Sequence, residues 1–504
     1  MVLDELAVGR LIEPRGSEQL AEGFRRMPHD QEPAVPQPLL VDAAIELSRG
    51  QHDPSGASLA AAESILEHLP ADAEVPSRLA AAMIRLALSR RTGNLDAAMA
   101  AAAGARTLLE AVPEDLLARH SEICAQVLSG RGAVELWSGH FDAAAATFDA
   151  GRAACTSDSA NERADCLGHL ALLDALGGSL NHAVELAAGA AENNEDGLSE
   201  PLSAAAEVAL ASVHTERNEL SLARGRLKLA YDALRARPDK LISAAACLVA
   251  ARGSLAEGRP GAAAENVGRA RHGWSPPAWL DHRLRLLESS ACAAISDTDS
   301  AVDMAASAGP GSWLDAAAAL AHARLAAGDS QAARHALASV SAGADTPDWV
   351  RLEGWLVDAQ ISYGSGDSGR GRRSLEHALR LGEPERLRLP FVLQRTWIRP
   401  VLRRDPDLAD AYRHMLEPDL VSPAGVPAQQ PGAGYSAPLI VERLSAREGE
   451  VLRHVSTMLS TAEIAAEMYI SVNTVKTHLK SIYRKLAATH RGEAVRRARE
   501  LELI

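Results

Sequence analysis

The chain is poor in aromatic residues, in cysteine and in lysine. Phe, Trp and Tyr together make up 3% of its 504 residues, and there are only five cysteines. The cysteines are odd in number and widely spaced, with no CxxC pair, so the pattern indicates neither a disulfide framework nor a zinc site. We therefore expect buried or free thiols in a reducing cytoplasm, and no metal or other cofactor.

Long apolar runs are absent as well. The first residues, MVLDELAVGRLIEPRG, contain acidic side chains and no apolar core of the length found in signal peptides. No charge-free apolar stretch approaches the ~20 residues that a membrane-spanning helix needs. These absences predict a soluble, cytoplasmic protein that does not contact a membrane.

Motifs of common enzymes are also missing. The chain has no GxSxG or HExxH motif, and its seventeen histidines are scattered singly. A nucleotide-binding P-loop requires GxxxxGK[ST], whereas none of the five lysines follows a glycine. We therefore predict that the protein is not an enzyme.

The chain does contain a repeating helical pattern. Its apolar residues, 47% of the total, are mainly alanine and leucine, which have the highest helix propensities. A turn of one type recurs at intervals of 32 to 46 residues, beginning at Gly93, Gly139, Gly178, Asn218, Gly258, Ser296, Gly328 and Gly366. A small residue follows each of these by five positions: Ala98, Ala144, Ala183, Ala223, Ala263, Ala301, Ala333 and Gly371.

The chemistry of this pattern predicts stacked helical hairpins. Gly or Asn ends one helix in the left-handed conformation, and Asp or Ser then caps the next helix. The alanine on that next helix lets two helices approach closely. A period near forty residues of this kind is typical of a tetratricopeptide-like solenoid, so the predicted fold class is all-α. A weaker additional copy is indicated around Gly56 to Ala61.

Composition divides the chain into four parts. We predict an N-terminal capping or loosely ordered segment at residues 1–40, a repeat domain at 41–415, a Pro/Gly-rich linker at 416–438 and a small domain at 439–504. Residues 438–504 contain eleven basic and eight acidic residues, a net charge of +3. Since the whole chain has a net charge of −14, the rest of the chain carries −17. A small basic domain is therefore joined to a large acidic one.

The small domain has strong signals for four short helices. Capping boxes at Ser445–Glu448 and Ser460–Glu463 each begin a helix. Ser471 caps a third helix, and a fourth follows from about Arg491. A tight connection between the second and third helices predicts a helix-turn-helix domain.

The third helix, SVNTVKTHLKSIYRKL, contains three of the five lysines and no carboxylate. On a helical wheel, Val475, Leu479, Ile482 and Leu486 form one apolar stripe. The residues that we expect to contact double-stranded DNA lie away from this stripe or at the helix start: Ser471, Asn473, Lys476, Thr477, Lys480 and Arg484. An Asn side chain can hydrogen-bond to adenine, and a Lys side chain can bind guanine or phosphate. The Ser471 hydroxyl and the amides of the first turn can bind a phosphate. Arg484, ~16 Å along the axis from Asn473, is expected to reach the DNA backbone.

The segment LSAREGEVLRHVSTMLSTAEIAAEMYISVNTVKTHLKSIYRKLAATHRGEAV resembles the LuxR-type helix-turn-helix. The resemblance implies that Lys476, Thr477 and Lys480 face the bases, that Thr474 contacts the backbone, and that the fourth helix forms a homodimer contact. Met458 departs from the family pattern, which usually has glycine at that turn. The repeats, with EPERLRLPF after them, resemble the helical-repeat region of MalT-like, large LuxR-type regulators, here without their ATPase module.

These observations support two hypotheses. In the first, the protein is a sequence-specific DNA-binding transcriptional regulator. It would act as an activator, the commoner outcome in the family, by contacting RNA polymerase, and its repeats would respond to an effector that is a protein or a small molecule. In the second, the solenoid is an interaction scaffold, and the basic C-terminal domain docks a partner protein. The repeats alone also allow a plain spacer role.

Overall fold

The computed structural model describes residues 35–70, 72–114, 117, 122–155, 159–191, 203–308, 314–340, 346–416, 446–456, 464–465, 467–468, 470–485 and 498. Throughout these residues the regular secondary structure is helical, with no strand, as the composition predicts. At a few of these positions only the backbone is described. None of the helices in these ranges is long and apolar enough to span a membrane.

Nine helical hairpins follow one another in the described part of the chain. The first four are α1 (Gln37–Ser48) with α2 (His52–Glu67), α3 (Val75–Thr92) with α4 (Leu95–Leu109), α5 (Glu122–Trp137) with α6 (Phe141–Ala154), and α7 (Ala160–Gly177) with α8 (Leu180–Ala191). The next three are α9 (Ala204–Glu216) with α10 (Leu220–Ala236), α11 (Lys240–Ala256) with α12 (Pro260–Ala270), and α13 (Ala278–Ala294) with α14 (Thr298–Ser307). The last two are α15 (Leu314–Ala326) with α16 (Ser330–Val340), and α17 (Asp348–Gly364) with α18 (Ser368–Gly382).

The hairpin turns have the predicted backbone conformation. All eight predicted turn residues have a positive φ, including the two that are not glycine, Asn218 at 58° and Ser296 at 63°. At the first of these turns, Gly93 bonds back to the Ser89 carbonyl, and the Asn94 side chain accepts a hydrogen bond from the Ala97 amide at 3.1 Å. One residue thus ends a helix, and its neighbour caps the next.

The small residues after the turns are buried, as predicted. The seven alanines, from Ala98 to Ala333, are between 0% and 3% exposed. In the eighth copy the position is Gly371, where a Cβ atom would lie 2.8 Å from the ring of Tyr363. Tyr363 occupies the space that a methyl group fills in the other copies, which explains the glycine.

An additional hairpin precedes these eight, but its turn is not where the sequence analysis placed it. Gly56 lies inside α2, whereas Gly50, with a φ of 74°, forms the turn between α1 and α2. Five positions after Gly50 lies Ser55, which is fully buried and donates a hydrogen bond to the Ala43 carbonyl at 2.7 Å. A serine takes the place of the alanine, so the repeat pattern placed this copy a few residues too late.

The solenoid coils tightly enough for distant hairpins to touch. Three tryptophans near the starts of later hairpins lie against the turn glycines of earlier ones: Trp274 at Gly93, Trp279 at Gly139 and Trp349 at Gly178. Arg90 on α3 also forms an ion pair with Asp239, just before α11, at 2.7 Å. Hairpins four or five units apart are therefore in contact, and the coil encloses an interior.

Three short helices follow the last hairpin: α19 (Leu389–Leu393), α20 (Arg395–Arg404) and α21 (Pro406–Ala411). The amide of Arg388 donates a hydrogen bond to the Glu216 carbonyl at the end of α9, 2.9 Å away. Phe391 on α19 is fully buried. This segment thus packs against the middle of the coil rather than extending the stack of hairpins.

Candidate nucleic-acid interface

Two helices of the small domain are described, α22 (Ala446–Ser456) and α23 (Val472–Lys485). Val475, Leu479 and Ile482 of the predicted apolar stripe are buried in one core with Val451, Leu452, Val455, Ile464, Ala465 and Ala498. Ser445, the second capping box at Ser460–Glu463, Met458 and Leu486 lie outside the described residues. The stripe of α23 that faces this core is therefore apolar.

The start of α23 is capped as predicted. The Ser471 hydroxyl oxygen accepts a hydrogen bond from the amide of Thr474 at 3.0 Å and lies 2.8 Å from the Thr474 hydroxyl. Ser471 is exposed and Thr474 is half-buried. This turn therefore presents a serine hydroxyl to solvent beside the first amides of a helix, a place that favours an anion.

Lys480 is exposed on α23, one residue after the buried Leu479. The other predicted contact positions on this helix are Asn473, Lys476, Thr477 and Arg484, whose side chains lie outside the described residues. By backbone position, residues 473, 477, 480 and 484 are three or four apart and so share one side of the helix. Among the predicted contact residues whose side chains are described, Ser471 and Thr474 meet at the start of α23, and Lys480 is exposed further along the helix.

An ion pair between the two helices was not foreseen. Glu448, which the sequence places in a capping box, accepts hydrogen bonds from Ser481 Oγ at 2.6 Å and from Lys485 Nζ at 2.8 Å. The side chain of Lys485 is 15% exposed and that of Glu448 is 7% exposed. Lys485 thus holds α23 against α22, although it lies in the same lysine-containing stretch as Lys480.

Across the part of the chain that the structure describes, no group of three or more His, Cys, Asp or Glu side chains is arranged to hold a metal ion. All five cysteines are free thiols located in the solenoid. The described residues of the small domain thus include an exposed cation, Lys480, and a helix start capped by Ser471, and both lie on a helix that packs on an apolar core.

The C-terminal segment matches a known family. Residues 442–498 match the family model described as bacterial regulatory proteins, luxR family. The small domain is a luxR-family domain. The matched range includes α22 and α23 and all seven predicted DNA-contacting residues, which lie between 471 and 484.

Regulatory proteins are among the relatives of this luxR-family domain. The probable transcriptional regulatory protein NarL of Mycobacterium tuberculosis is 37% identical over 86 residues, which is 17% of this chain and 40% of NarL. The HTH-type transcriptional regulator MalT of Serratia proteamaculans is 40% identical over 58 residues, or 12% of this chain and 6% of MalT. The chain thus spans less than half the length of each relative.

Alignments with solved structures of other helical proteins cover most of this chain. The alignment with a human IFIT1 dimer with m7Gppp-AAAA covers 81% of this chain and 90% of the IFIT1 chain, with 14% sequence identity and a TM-score of 0.38. The alignment with the TPR domain of P58(IPK) covers 76% of this chain and 96% of that domain's chain, with 15% sequence identity and a TM-score of 0.21.

Proposed function

We propose that the protein is a sequence-specific DNA-binding transcriptional regulator that places α23 in the major groove. The observation that carries this proposal is the two-sided character of α23 within a luxR-family domain. Val475, Leu479 and Ile482 are buried toward α22, while Lys480 is exposed. A helix held in this way can enter the ~12 Å wide major groove without uncovering its core.

The residues of α23 take different roles in this proposal. Lys476, Thr477 and Lys480 face base edges, and Asn473 pairs with adenine where the register permits. Thr474 and the hydroxyl of Ser471, beside the amides of the first turn, hold a phosphate, and Arg484 reaches the DNA backbone further along the helix. Phosphate contacts set the position of the helix, and base contacts select the sequence.

The regulator acts on DNA as a homodimer in this proposal. The fourth helix of the luxR-family domain forms the contact between two copies, so that the two α23 helices read half-sites about one helical turn apart. The solenoid binds an effector and controls whether the two domains can pair. The output is activation through contact with RNA polymerase.

Enrichment of bound fragments from a pool of random duplex DNA tests this proposal. The full chain is compared with the chain that lacks residues 440–504, at low and at physiological salt. We expect the full chain to enrich a site with two-fold symmetry, and the shortened chain to enrich none. If the full chain selects no sequence at low salt, the regulator proposal fails, and a scaffold whose basic domain docks an acidic partner protein becomes the better explanation.

A further inference from the structure

The coil of the solenoid forms a partly open cavity of about 790 Å³. Its walls come from the first helices of six successive hairpins, α7, α9, α11, α13, α15 and α17, and from residues 387–397 after the last hairpin. Ligand pockets in proteins typically measure roughly 300–1,000 Å³. The cavity is therefore of the size that takes a drug-sized molecule, and it is larger than a single amino acid requires.

Some of the charged groups at this cavity already neutralise each other. Arg252 on α11 donates two hydrogen bonds to the carboxylate of Glu216 on α9, at 2.6 and 3.0 Å. His282 Nε2 donates a hydrogen bond to the Asp315 carboxylate at 2.8 Å, and His282 Nδ1 lies 2.8 Å from the Ala308 carbonyl oxygen. The charges of these residues are therefore paired within the protein itself.

Two further charged groups line the same cavity without such a partner. The Arg283 guanidinium on α13 donates one hydrogen bond, to the Leu176 carbonyl at 2.9 Å, and lies 5.5 Å from the centre of the Trp349 ring. It forms no ion pair with any residue that the structure describes. Glu353 on α17 has neither a side-chain hydrogen bond nor an ion pair within the same ranges.

Both side chains are half-buried, and desolvation disfavours their charged forms. Burial raises the pKa of Glu353 to about 7, against the opposing effect of Arg252. Burial likewise lowers the pKa of Arg283, although Asp315 opposes that shift. An unpaired charge inside a protein is strongly unfavourable, because water no longer solvates it. The fold thus places one guanidinium group and one carboxyl group that ionises near pH 7 at a single cavity, and neither has an ion-pair partner among the described residues.

Two neutral polar atoms at the cavity wall also have no partner. His322 Nδ1 and Gln360 Oε1 are buried and form no hydrogen bond. Buried polar side-chain atoms are usually hydrogen-bonded, so such atoms need an explanation. The rest of the wall is largely apolar, with Leu248, Leu287, Val357 and Leu387 among its residues.

We propose that this cavity binds a short apolar peptide with free ends, whose carboxylate pairs with Arg283 and whose ammonium group pairs with Glu353. The inference rests on the proposed function in that it names the chemical class of the effector. A purely anionic ligand meets Glu353, Glu216 and Asp315, and a purely cationic ligand meets the two arginines. A neutral ligand leaves both unpaired charges without compensation. A zwitterion with an apolar body satisfies the charged groups and the apolar wall together.

Calorimetric titration of the full chain, in the absence of DNA, tests this assignment. The probes are trileucine with free ends, the same peptide acetylated at its amine, the same peptide amidated at its carboxylate, and a neutral trisaccharide. We expect trileucine to bind at least tenfold more tightly than either capped peptide, and the trisaccharide not to bind. Equal affinity for free and capped peptides, binding of the trisaccharide alone, or no binding of any probe would overturn the assignment.

Two variants separate the roles of the charged ends. Glu353→Gln should remove the preference for a free amine and leave the preference for a free carboxylate, while Arg283→Gln should do the opposite. Glu185→Gln, an exposed change on α8 outside the cavity, should leave both preferences intact. If Glu353→Gln and Arg283→Gln weaken all peptides equally, the ends do not pair as proposed. DNA does not enter these measurements, so their outcome is independent of the test of DNA binding.

Discussion

Lys485 at the end of α23 donates a hydrogen bond to Glu448 on α22, with 2.8 Å between Nζ and Oε2. Ser481, one helical turn earlier, donates a second hydrogen bond to the same carboxylate at 2.6 Å. The pair joins the first helix of the luxR-family domain to the helix that we propose reads DNA. Lysines of one short stretch therefore differ in environment, since Lys485 pairs with α22 and Lys480 is exposed to solvent.

Replacing Lys485 with methionine should loosen α23 from α22. The Glu448 side chain is 7% exposed and would lose a charged hydrogen-bond donor, so we expect a loss of about 1–3 kcal/mol in the stability of this contact. Hydrogen exchange of α22 and α23 in the full chain, followed by mass spectrometry, measures this locally. Lys480→Met removes the same charge from an exposed site and should leave exchange unchanged. Equal protection in both variants would contradict a structural role for Lys485.

Replacing Lys480 with alanine should weaken binding to the selected DNA site. A lysine that contacts bases contributes roughly 1–3 kcal/mol, and its loss should relax specificity at one position of the site. Fluorescence anisotropy on the enriched site and on a scrambled duplex measures both effects. Lys228→Ala is the matched control, because Lys228 is an exposed lysine on α10. If the two variants bind the site equally well, Lys480 does not contact the bases.

Local chemistry was sufficient to predict the turns. Few residue types other than glycine and asparagine readily adopt a left-handed backbone conformation. The pattern could therefore locate Gly93, Asn218 and the other predicted turn residues. The same pattern failed at the first hairpin, where Ser55 takes the alanine position and Gly56 was mistaken for part of the turn. A repeat defined by one small residue is lost when a hydrogen-bonded polar residue replaces that residue.

Contacts between distant hairpins could not be predicted. The cavity depends on how far the solenoid rotates at each step, and small packing differences along many hairpins set this rotation. Nothing local in the sequence indicates that Trp349 lies at Gly178, or that Arg283 and Glu353 line one cavity. The Glu448–Lys485 pair was missed for a related reason, since Glu448 also fits a capping box. The predicted domain limits remain predictions.

Replacing Gly178 with alanine should destabilise the coil more than the same change at Gly328. Both glycines have a positive φ, 97° and 85°, so alanine costs about 1–2 kcal/mol at either position. A Cβ at Gly178 would also lie 2.8 Å from Trp349 Cδ1, whereas a Cβ at Gly328 would meet nothing within 4 Å. The difference in melting temperature between the variants isolates the contact with Trp349. Equal losses would mean that this contact between distant hairpins does not form in solution.

The titration of Glu353 should make stability depend on pH. The pKa of this carboxyl group rises from 4.5 to about 7 on folding, mainly through burial. The charged or titratable groups that face it are Arg252, Glu216, Asp315, Arg283 and His322. His322 stays neutral near pH 7, because burial lowers its pKa. Since the folded chain holds the proton more tightly than the unfolded chain, ionising Glu353 destabilises the fold. This cost is absent below about pH 4.5 and complete above about pH 7.

Glu353→Gln should therefore raise the melting temperature at pH 8 and leave it nearly unchanged at pH 4.5. The gain at pH 8 corresponds to about 1–3 kcal/mol, and Glu185→Gln should show no such pH dependence. A gain of equal size at both pH values would mean that Glu353 does not titrate in this range.

In the wild-type chain, a ligand ammonium group should offset the cost of the ionised carboxylate. Trileucine should accordingly stabilise the wild-type chain more at pH 7 than at pH 5, and this difference should vanish in Glu353→Gln.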